Sequence, residues 1–131
     1  MTKLINKIKS LMPEGLKDSK TPENESLSFL IKYDDLNIGK LELDEGKWIF
    51  YYTNEFKNQS NLKPLVDFPN IDKIYKNDEL WPFFLVRIPS LQQPKIQNKI
   101  KDENIDSSNQ AELLKVFGKK TISNPFELVT D

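Results

Sequence analysis

The residues of this chain that could do chemistry are nearly all carboxylates and lysines. Asp34/Asp35, Asp44/Glu45 and Asp78/Glu79 are adjacent acidic pairs, the residue type that acid–base hydrolysis needs. Each pair falls at an expected turn or helix start, where Asp and Glu act as turn formers or caps. No spacing in the chain brings two pairs together. Histidine and cysteine are absent, which removes the commonest general base, the commonest zinc ligand, thiolate nucleophiles and disulfides. Gly118-Lys119-Lys120-Thr121 ends like a phosphate-binding loop, but it lacks the glycine-rich lead-in and the preceding strand, in a chain with only 4 glycines. It reads as a helix cap followed by a solvated basic turn. The protein-kinase signatures are missing too, with no His-Arg-Asp loop and no Asp-Phe-Gly. No catalytic residue, metal ligand or cofactor site is expected, so the chain is read as a non-enzyme.

What remains is binding chemistry, and it concentrates in Asp78–Leu91, Asp-Glu-Leu-Trp-Pro-Phe-Phe-Leu-Val-Arg-Ile-Pro-Ser-Leu. The pattern predicts a helix over Asp78–Ile88. Asp78 and Glu79 would sit at the positive end of its dipole, Pro82 is tolerated in a first turn, and Pro89 ends the run. Phe83, Phe84, Leu85, Val86 and Ile88 are interrupted only by Arg87. A helix apolar on nearly every side is buried on more than one side, unless part of that surface is kept for another protein. Core packing is the default for Phe83 or Phe84. Trp81 precedes a proline and so belongs at the helix edge, and an amphipathic tryptophan at an edge is the type of residue that anchors interfaces. The candidate partner-binding residues are therefore Trp81, Pro82, Phe83, Phe84 and Arg87. The aromatics of Trp48–Tyr52 could stack bases, but a period of two marks a core strand and no lysines cluster there. Direct nucleic-acid binding is not expected.

The elements that must position these residues follow from the periodicities. At 131 residues the chain is long enough for one domain with a core of its own. The 19 basic and 20 acidic residues leave a net charge of −1 and no field that would draw nucleic acid or an acidic membrane. No apolar run is long enough to span a bilayer, and cysteine is absent, so a cytoplasmic protein without membrane contact is expected. Residues 1–26 read as an N-terminal segment. Met1–Met12 is amphipathic, with Leu4, Ile5, Ile8, Leu11 and Met12 opposite Lys3, Lys7 and Lys9, and lysines interrupt any signal-peptide core. Pro13–Ser26 reads as a linker. The domain proper spans 27–131.

Within it, Leu27–Tyr33 alternates as a strand. Ile38–Leu43 continues as a second after the turn Asp34–Asn37, and Lys47–Thr53 forms a third after Asp44–Gly46. These make an antiparallel meander. A helical turn is expected around Phe56, an irregular extended stretch at Lys63–Pro69, and a helix carrying Ile96 and Ile100. That helix is capped by Ser90 with Gln93, or else begins at Pro94. A last helix carries Leu113, Leu114, Val116 and Phe117, is capped from within Asp106–Asn109 and stops at Gly118 in a left-handed conformation. Phe126–Val129 is a final strand. The fold class is α+β: a bent antiparallel sheet, partly barrel-like, packed with two or three helices.

The order of these pieces resembles the N-terminal subdomain of HipA-type toxin kinases over roughly Leu27–Val129. The resemblance is carried by the Asn37-Ile38-Gly39-Lys40-Leu41 hairpin, the aromatic strand, and Lys63-Pro64-Leu65. It continues through Trp81-Pro82-Phe83-Phe84 with Ile88-Pro89 one helix later, and ends at Leu113-Leu114-Lys115-Val116-Phe117-Gly118. The chain departs from the family pattern in Lys119–Asn124, which is longer and more polar, and it stops where the kinase core is expected. The resemblance implies a non-catalytic, HipS-like regulatory or antitoxin-like subunit of a toxin–antitoxin system. Its implied partner is a separately encoded HipA-type serine/threonine kinase core, with room for a DNA-binding third component. The alternative is a general protein-interaction module with an unrelated partner.

Overall fold

The computed structural model describes residues 19–131. The amphipathic reading of Met1–Met12 and the first part of the expected linker lie outside the described residues. Five strands form one antiparallel sheet: β1 (Leu27–Tyr33), β2 (Leu36–Asp44), β3 (Lys47–Tyr52), β4 (Tyr75–Asn77) and β5 (Glu127–Thr130). Their order is β4-β3-β2-β1-β5. The sheet is open, so the barrel-like closure expected from sequence does not occur. Among the described residues the helices are four and short: α1 (Asn54–Lys57), α2 (Pro82–Leu85), α3 (Pro94–Asp102) and α4 (Gln110–Phe117).

The meander forms for the reasons the alternation implies. Phe29 and Ile31 of β1, Leu41 and Leu43 of β2, and Trp48, Phe50 and Tyr52 of β3 all point into the core. A bulge between Ile31 and Lys32 shifts the register from Ile31↔Gly39 to Lys32↔Asn37. Ile38 is the extra residue, and this slip lets it turn inward although it is out of phase with Leu41 and Leu43. The β2–β3 turn places Glu45 (φ 48) and Gly46 (φ 78) both in the left-handed region, as tight two-residue hairpins require. At Gly39 the need is for space: a side chain there would begin 2.8 Å from the Phe50 ring.

The structure departs from the sequence reading at two points near the ends of the domain. First, Ser19–Ser26 is docked, not a free linker. Lys20 N–H donates to the Ser108 carbonyl (2.7 Å), and Gln110 N–H returns a bond to the Lys20 carbonyl (2.9 Å). The Trp48 indole N–H donates to the Thr21 hydroxyl (2.9 Å). Second, Gly118 ends α4 in a right-handed conformation (φ −86). It is required there because a Cβ would collide with the Leu114 carbonyl oxygen. Elsewhere α4 begins as expected, with the Asn109 side chain accepting from the Glu112 N–H (3.1 Å). Of the two starts open for α3, the structure adopts the one with Pro94 as first residue.

Both sheet edges are blunted. β4 has three residues with exposed Lys76 at its centre. On β5, the Leu128 N–H donates to the Lys119 carbonyl (2.9 Å). A short, charged or covered edge resists pairing with another strand. No described helix is long and apolar enough to cross a membrane.

Candidate protein interface around Trp81

The segment 78–91 is organised by its prolines. Asp78 does not start a helix; its carboxylate pairs with Lys47 across to the start of β3, an exposed ion pair of small energetic weight. Pro82 excludes helical backbone at the residue before it, and Trp81 is accordingly extended (φ −67, ψ 149). Only Pro82–Leu85 is α-helical. The chain then tightens, with Arg87 N–H bonding the Phe84 carbonyl and Ile88 N–H the Leu85 carbonyl (both 3.1 Å). The expected helix over Asp78–Ile88 is thus a single turn with an extended lead-in.

Burial divides this turn into two faces. Leu80, Phe84, Leu85 and Ile88 are buried in the main core. Trp81, Pro82 and Phe83 are half-buried, and Val86 is 45% exposed. The burial of the first group on more than one side is what an all-round apolar segment requires.

Beneath the half-buried face lies a stack of rings. Phe50 stacks on Phe68 with centroids 4.1 Å apart, and Phe68 meets Trp81 edge-on at 5.1 Å. Phe84 meets Phe83 edge-on at 5.0 Å. Offset and edge contacts of this type hold ring orientation as well as burying area. Trp81 therefore rests on a rigid aromatic floor.

Phe68, the hub of this floor, is not visible as such in the sequence, where it sits between Asp67 and Pro69 in an irregular stretch. It is placed by Tyr52, whose hydroxyl donates to the Phe68 carbonyl (2.6 Å) and accepts from the Leu65 N–H (2.8 Å). Burial pushes the Tyr52 phenol up to about 12.

Arg87 is placed differently from the other candidates. Its side chain runs inward and is only 3% exposed. The guanidinium donates to the carbonyls of Gly118 (3.1 Å), Lys119 (3.3 Å) and Phe126 (2.8 Å) and to the Asn124 side-chain oxygen (3.1 Å). It also lies 5.6 Å from the Phe83 ring centroid. Burial lowers its pKa to about 10, so it stays charged at neutral pH. Arg87 clamps the α4–β5 connection to the aromatic turn, and Phe84 belongs to the floor. The surface that a partner can reach narrows to Trp81, Pro82, Phe83 and the adjoining Val86.

The acidic pairs do not converge. Among the described residues no group of three Asp or Glu side chains could hold a metal ion. A cleft between residues 19–24 and the β2–β3 turn is lined by Lys20, Glu23, Glu45, Lys47, Asp78 and Glu79. It is polar and of mixed sign. Trp48, by residue type a candidate for stacking bases, is fully buried.

Comparison with curated proteins gives no match. The family profile described as HipA N-terminal domain matches residues 29–123, a stretch that includes the meander, the aromatic turn and α4. A match over that share of the chain, on this fold, places the protein in the HipA N-terminal domain family.

Proposed function

We propose that this protein is a non-catalytic regulatory, antitoxin-like subunit that binds a HipA-type serine/threonine kinase core in trans. The observation that carries the reading is the half-buried Trp81-Pro82-Phe83 crest seated on the closed floor of Phe68 and Phe84. A tryptophan pre-oriented on a rigid support loses little freedom on binding. It inserts into the kinase cleft or against its N-lobe, with Phe68 and Phe84 backing it and Phe83 beside it on the crest. The blunted sheet edges favour this apolar face over strand addition as the mode of contact. Membership of the HipA N-terminal domain family supports a HipA-type partner. The reading allows a third, DNA-binding component, and it includes no direct contact of this chain with nucleic acid.

The test is a titration of the purified chain against a HipA-type kinase core from the same genome. Trp81→Ala is expected to weaken binding by about 2 kcal/mol or more, roughly 30-fold, while the thermal melt stays cooperative. Unchanged binding would remove Trp81 from the interface and the reading with it.

A further inference from the structure

The connection between α4 and β5 is built more firmly than a surface loop needs. At its start, Arg87 holds the carbonyls of Gly118 and Lys119; at its end, it holds Asn124 and the Phe126 carbonyl. Between these points Thr121 and Asn124 form an antiparallel bridge. Ser123 N–H bonds the Thr121 hydroxyl (3.3 Å), and Phe126 N–H bonds the Asn124 side chain (3.1 Å). At the apex of this pinned turn stands Ile122, fully exposed. Lys119 and Lys120, also exposed, have no ion pair among the described residues. The same guanidinium that grips the loop lies over Phe83, and Phe83 is 6.1 Å from Phe126. The loop and the aromatic crest are therefore one rigid unit.

We infer that loop 119–125 is a second contact element of the same interface, with Ile122 entering an apolar recess rimmed by carboxylates on the kinase core. This rests on the binding role proposed for the Trp81 crest. A single exposed aliphatic residue is ordinary on a protein surface, and Val66 is another example here. Ile122 differs in three respects. It is held at a fixed position, its backbone is ordered before binding, and it follows two exposed cations, without an ion pair among the described residues, that select an acidic rim and speed encounter.

The experiment uses the full chain and, as probe, a HipA-type kinase core from the same genome. Three variants are compared with the parent: Ile122→Asp, the double charge reversal Lys119→Glu/Lys120→Glu, and Trp81→Ala. Because the tip buries nothing, the first two keep the parent melting temperature. Ile122→Asp is expected to weaken binding at least tenfold. The double reversal is expected to slow association and flatten its salt dependence. If the parent binds and Trp81→Ala binds more weakly, yet both loop variants bind as the parent does, the loop is not a contact and only this inference falls. If the parent does not bind the core, both readings fall together.

Discussion

The chain has 2 tryptophans, and the fold gives them opposite surroundings. Trp48 sits near the start of a strand whose alternate residues all turn inward; it is fully buried, and its indole N–H is satisfied by Thr21. Trp81 sits before a proline at the rim, half-covered, with its ring edge-on to Phe68. Both belong to aromatic-rich segments, so composition alone does not separate them. Backbone context does: a strand at period two commits its inward residues to the core, whereas a pre-proline residue stays extended and leaves its side chain at the start of the turn. The alternation of β3 takes Trp48 wholly into the core, and the pre-proline backbone leaves Trp81 half-covered at the rim.

That contrast can be broken by substitution. Trp48→Ala is expected to have the largest effect, a loss of about 3–5 kcal/mol of stability from lost burial and the cavity left behind, read by urea denaturation. If it cost no more than an exposed substitution, the core assignment of β3 would be wrong. Arg87→Met comes next. It leaves the acceptors of the 118–126 connection without their donor, at a cost of about 3 kcal/mol, and amide exchange should rise across that connection before it rises in β2. Trp81→Ala should cost about 1 kcal/mol of stability, much less than Trp48→Ala, while carrying the larger loss of binding.

The last effect is confined to alkaline pH. Tyr52 ionises near 10 when exposed and is raised to about 12 by burial. The folded protein thus keeps this proton to higher pH than the unfolded chain. The contribution is intact below about pH 10 and is lost as pH rises towards 12. Tyr52→Phe, compared with the parent across that window, should show a shallower decline. Parallel curves would mean that the phenol is not held in the core as the structure shows.

Much of the fold is legible in the sequence because it depends on local pattern. The three strands of the meander, the Phe56 turn, a helix cap from within Asp106–Asn109 and the final strand follow from alternation, turn residues and capping chemistry, each set by neighbours within a few positions. Segment 78–91 is legible in part. Its apolar run is plain, but the predicted helix is too long, because the pre-proline restriction at Trp81 outweighs the dipole preference of Asp78 and Glu79. β4 escapes sequence reading altogether, since three residues with Lys76 at their centre carry no periodic signal.

The amino-acid sequence alone settled that the chain has no histidine or cysteine to work with, that a meander forms the centre of the fold, and that apolar residues concentrate in Asp78–Leu91. Only the tertiary structure decided that Arg87 faces inward as a clamp, that Phe68 supports Trp81, and that Thr21 bonds the Trp48 indole. These contacts join residues far apart in the chain, such as Phe68 with Trp81 and Lys20 with Gln110. No local periodicity encodes them; they arise because buried donors and rings must find partners wherever the folded chain happens to supply them.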